Sequence, residues 1–175
     1  MGRAAGGQRG GGPRRRAPAN KRRIVDITND IPRQHRGLLR ALEAFGGPDK
    51  LDRDAYVDAR QSEGEEFDRT VLAERYWSVL QNHLAKLAEL GLAEARRLGV
   101  AHARSAGAKF SGLADLGVIA RSDADRLAEM QAIRNLDQHQ YPAQTQQLLD
   151  AVLDLHRLLP KYLKRYGAWF EKLPY

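Results

Sequence analysis

"FDRTVLAERYWSVLQNHLAKLAELGLAEARRL", residues 67–98, decides the fold. Leu72, Tyr76, Val79, Leu80, His83, Leu84, Leu87, Leu90 and Leu98 recur at three- and four-residue steps, which predicts one long amphipathic helix from about Phe67 to Leu98. The same period extends in both directions. Upstream, Pro32 suits a first helical turn, Leu38, Leu39, Leu42 and Phe45 form one face, and Gly46, Gly47 and Pro48 end the segment. A more polar helical piece spans about Asp52 to Gln61. Downstream, a short helix is expected from about Phe110 to Leu116, broken near Gly117.

Ser122, with Asp125 three residues on, reads as the N-cap of a further helix that carries Leu127, Met130 and Ile133 inward. This helix should stop around Gln138 to Gln140, because the residue before Pro142 is disfavoured in the α region. A last helix from about Ala143 to Phe170 puts Leu148, Leu149, Val152, Leu155, Leu158 and Leu159 on its apolar face, with Pro160 as a candidate kink. No alternating strand pattern occurs. The expectation is an all-α, antiparallel bundle of about four to six helices joined by short connections.

Charge divides the chain into two parts. Of the 175 residues, with net charge +7, residues 1–23 hold eight Arg or Lys and no acid, so the remainder sums to about −1. That segment, "MGRAAGGQRGGGPRRRAPANKRR", is low in complexity and has little to bury, so a disordered basic tail over 1–23 and a folded domain over 24–175 are expected. Interleaved Gly and Arg suit a segment that follows a nucleic-acid backbone. Arg14, Arg15, Arg16, Lys21, Arg22 and Arg23 would supply the charge, and the lack of an aromatic residue limits them to weak, salt-dependent binding. The alternative is an upstream extension without a role. The start lacks the apolar run of a secretory signal, and no window resembles a membrane span. The absence of Cys excludes disulfides, Cys-based zinc sites and thiol catalysis, and fits a reducing cytoplasm.

Several residues could carry chemistry. Asp123 and Asp125 form a D-x-D that could hold Mg²⁺, but no strand or glycine-rich turn precedes it, and capping explains it better. His83 lies on the apolar face of the long helix, where a hydrogen-bonded core histidine is the usual occupant. His35, His102 and His156 lack partners at ligand spacing, so no metal site is expected. Tyr162, Tyr166, Trp169 and Phe170 form an aromatic stripe suited to packing or a subunit contact, with base stacking as the alternative.

The remaining candidate is "IRNLDQHQYP", residues 133–142, with Arg134, Asn135, His139 and Tyr141 at fixed offsets. One reading is a solvated helix end, where cations near the C-terminal carbonyls are favourable anyway. The other is an active site. Imidazole titrates near neutral pH and can move protons, and a guanidinium can hold phosphate oxygens with two parallel donors. On a continuous helix, the five-residue offset would turn the two side chains about 140° apart, so the active-site reading needs the helix to end between them.

The R-x4-H-x-Y pattern resembles the signature of the HEPN superfamily, and within it the HepT-like toxin ribonucleases. The upstream run "FSGLADLGVIARSDADRLAEMQAIRN" is similar to the family's short helix, Gly-Val-Ile turn and helix leading into the Arg-Asn pair. The resemblance covers about Phe67 to Phe170, with a spacer of Leu136, Asp137 and Gln138 that is more polar than the family's usual aliphatic one. It implies a HEPN-type bundle and a metal-independent endoribonuclease without a cofactor. Arg134 and His139 would be catalytic, with Asn135 and Tyr141 in support. It further implies a homodimer whose two motifs face one cleft. The implied partners are RNA and a minimal nucleotidyltransferase antitoxin, which in some such systems adds AMP to the matching tyrosine. Two alternatives stay open: a silent helical module that binds nucleotide or a protein partner, and a nucleic-acid-binding protein driven by its tail.

Overall fold

A computed structural model describes residues 19–100, 109–135 and 142–175, with the side chain of Asn135 outside the description. The described residues form six helices and contain no strand. They are α1 (Ala19–Glu43), α2 (Arg53–Arg60), α3 (Glu65–Arg97), α4 (Lys109–Asp115), α5 (Arg121–Asn135) and α6 (Pro142–Phe170). The molecule is a helical bundle, as the periodicity predicts.

The α3 helix is the central element and touches all five others. Between Leu84 and Ala95 its buried positions fall on nearly every side, the mark of a helix enclosed by neighbours. Residue pairing gives the directions. Asn20 reaches Glu94 and Asp30 reaches His83, so α1 runs antiparallel to α3. Asp123 meets Lys161 and Arg126 meets Asp154, so α5 runs antiparallel to α6. The hydroxyls of Tyr162 and Tyr166 donate to the carbonyls of Leu84 and Leu87, at 3.1 and 2.7 Å, so α6 follows the direction of α3. One continuous core of Leu, Ile and aromatic side chains joins the helices.

The first helix begins well upstream of the expected position. Ile24, Ile27 and Ile31 extend the apolar face of Leu38 and Leu42, and Ile24 and Ile31 are buried. Burying them offsets the cost of ordering the basic residues around them. Residues 19–23, expected in the tail, are therefore helical, and the rest of that expected tail lies outside the described residues. Lys21 lies over the Tyr175 ring, 4.2 Å from its centre. Pro32 is interior to α1 and not in its first turn. It is exposed, so water can satisfy the carbonyl that its missing N–H leaves free.

The turn after α1 follows its glycines. Gly46 and Gly47 take φ of 93° and 75°, a region side-chain-bearing residues rarely enter, and the carbonyl of Lys50 blocks a Cβ at Gly46. Ser122 is not an N-cap. The α5 helix already starts at Arg121, with the Ala120 carbonyl accepting from the Ala124 amide at 3.0 Å, and Ser122 sits exposed in the first turn. Arg121 pairs with Asp115 instead, fixing the helix start to the end of α4.

Candidate functional site

Arg134 occupies the last described turn of α5, half-buried, and its guanidinium donates to Oδ1 of Asn82 on α3. The α5 helix is held in place for this contact. Its apolar residues Leu127, Met130 and Ile133 are buried, and Arg126 fastens its outer side to Asp154 of α6. His139 and Tyr141, with the expected helix stop at Gln138 to Gln140, lie outside the described residues, as do Arg14, Arg15, Arg16 and His102. Asn135 ends α5 as described.

The neighbour of Asn82, His83, points a different way, since successive helical positions are 100° apart. Its Nε2 lies 2.8 Å from Oδ2 of Asp30, and the His83 side chain is 23% exposed. Asp30 also pairs with Arg33 at 2.6 Å and accepts from Gln34 at 2.9 Å. The His83 hydrogen bond, followed by that of Gln34, holds the Asp30 carboxyl below its ordinary range, so it stays ionised. His83 is thus hydrogen-bonded at the rim of the core. Two consecutive residues of α3 tie it to α1 on one side and α5 on the other.

The other candidates are occupied structurally. His35 and His156 pair with each other, Nε2 to Nδ1 at 2.9 Å, joining α1 to α6. Asp123 binds Lys161 at 2.7 Å, while Asp125 is exposed and apart. Tyr162 and Tyr166 are buried, stacked on one another and hydrogen-bonded to α3, with Trp169 and Phe170 packed alongside. This stripe is packing. Among the described residues, no group of three or more His, Cys, Asp or Glu could hold a metal ion. No helix among them is long and apolar enough to cross a membrane.

Three polar residues of α1 and α3 near these contacts are not visible from the motif. Asn82 and Asp30 find their partners 52 and 53 positions away, and no local pattern marks such contacts. Gln81 is 2% exposed, and neither amide atom has a hydrogen-bond partner among the described residues. Its polarity within an apolar helix was the available signal. Compared with protein-family models, curated proteins and solved structures, the chain matches none.

Proposed function

We propose that the protein is a metal-independent endoribonuclease of HEPN type, the toxin of a toxin and antitoxin pair, working in the cytoplasm. The observation that carries this reading is Arg134 held by Asn82 at the α3 and α5 junction, five residues before His139 in an R-x4-H-x-Y pattern. A guanidinium fixed through one nitrogen keeps other N–H donors free for a phosphate.

The chemistry runs as follows. His139 takes the proton of the ribose 2′-OH, and the resulting oxygen attacks the adjacent phosphorus. Arg134 stabilises the charge that grows on the non-bridging oxygens. The bond to the 5′-oxygen breaks as a second histidine delivers a proton to it, leaving a 2′,3′-cyclic phosphate and a 5′-hydroxyl. A homodimer with two motifs facing one cleft supplies that second histidine from the same position. Asn135 orients the site, and Tyr141 lines the cleft. Transfer of AMP to Tyr141 by a partner nucleotidyltransferase would put negative charge where RNA phosphate must sit, silencing the site.

Regulated expression tests the assignment in cells. Wild type should arrest growth, and His139→Ala should not, at equal protein level. Co-expression with a cognate nucleotidyltransferase should relieve the arrest and add the mass of AMP to the Tyr141 peptide. Arrest by both forms alike would remove His139 from the account.

A further inference from the structure

A second basic feature lies away from Arg134. Between α1 and α3, a half-open groove of about 510 Å³ is lined by Arg33, Arg36, Arg40 and Arg75, together with Gln34 and Tyr76. Arg33 is paired with Asp30. Arg36, Arg40 and Arg75 are exposed and have no acidic partner among the described residues. Unpaired like charges facing one cavity repel one another, so the fold bears a cost that a bound anion would relieve.

The arrangement is linear. Arg33, Arg36 and Arg40 sit at i, i+3 and i+7 on one stripe of α1, about 10 Å from end to end, with Arg75 across the groove. Such a row fits successive charges of an extended polyanion better than one compact anion. The Tyr76 ring supplies an aromatic wall, and its position depends on a missing side chain. A Cβ at Gly37 would come within 2.8 Å of Tyr76 Cδ1 and closer still to Cε1 and Cζ. Past Arg40, the adjoining surface carries Glu43, Glu65 and Glu66, which close the basic track at that end. At the other end it leads along α3, where Arg75, Val79 and Asn82 share a stripe, toward the Arg134 contact.

We propose that this groove binds the backbone of single-stranded RNA, with the arginines on consecutive phosphates and Tyr76 stacked on a base. A basic groove with an aromatic wall is the usual solution for strands read without regard to sequence. The site is separate from the cleavage residues and stands whether or not the protein cuts.

Fluorescence anisotropy with a short 2′-O-methyl uridine strand, which cannot be cleaved by 2′-OH attack, tests the groove over about 50 to 200 mM salt. The full chain is compared with a combined Arg36→Gln, Arg40→Gln and Arg75→Gln variant. Affinity at low salt should fall about tenfold or more, and the slope of log affinity against log salt should shrink by about 2. The corresponding Lys variant should keep the wild-type slope, which separates lost charge from lost fold. The loss should persist in a background of Arg14→Gln, Arg15→Gln and Arg16→Gln. No binding by wild type, or an unchanged slope in the Gln variant, would overturn the proposal. So would equal affinity for polyglutamate.

Discussion

The guanidinium of Arg134 on α5 is hydrogen-bonded to Asn82 on α3, so the arginine of the motif is tied to the central helix. Asn82 is itself exposed, so its replacement should disturb orientation far more than stability. Asn82→Leu should slow RNA cleavage about 10- to 100-fold while shifting the folding free energy by no more than about 0.5 kcal/mol. Cleavage rates alongside urea denaturation separate the two effects. An unchanged rate would show that Arg134 needs no support from α3.

Gln81, one residue earlier, is buried with an amide that has no partner among the described residues. A methionine of similar volume would remove the desolvated groups, so Gln81→Met should raise stability by about 1 kcal/mol in urea denaturation. A loss of stability would mean that ordered water satisfies the amide.

His35, whose imidazole packs against that of His156, makes stability depend on pH. Burial, then the neighbouring His156, holds the His35 pKa below its ordinary value. As pH falls, the unfolded chain therefore takes up that proton before the folded one. The contribution is complete above about pH 6.5 and is lost as pH drops from there toward the lowered folded value. His35→Gln should lose less thermal stability than wild type between about pH 7.5 and 5.5. Parallel losses in melts at the two pH values would contradict the assignment.

Close packing at the far end of α3 gives a further test. A Cβ at Gly91 would lie 2.5 Å from the Tyr166 hydroxyl and 2.9 Å from Trp169 Cζ3. Gly91→Ala should destabilise by about 1–3 kcal/mol, although alanine gains about 1 kcal/mol of helix propensity. A net stabilisation in urea would show that α6 shifts at little cost.

Where sequence and structure agree, the cause is local. The apolar spacing in residues 67–98 and 143–170 places α3 and α6 almost to the residue, because helical burial repeats along one chain segment. Where they differ, a local rule was outweighed. Ile24, Ile27 and Ile31 draw α1 back into a stretch whose glycine and arginine content suggests a tail, and they override the preference of Pro32 for a first turn. Ser122 lost its capping role because Arg121 anchors the helix start through Asp115. In the site, Arg134 is legible through its spacing to His139. Asn82 is not, since only the tertiary fold brings its partner to it, as it brings Asp30 to His83.

The most direct test of the central claim is cleavage of a mixed RNA pool by purified protein in EDTA, comparing wild type with Arg134→Ala and His139→Ala. Wild type should leave 2′,3′-cyclic phosphate ends, with cleavage abolished in both variants. A folded, dimeric wild type, free of AMP on Tyr141, that leaves the RNA intact would contradict that claim.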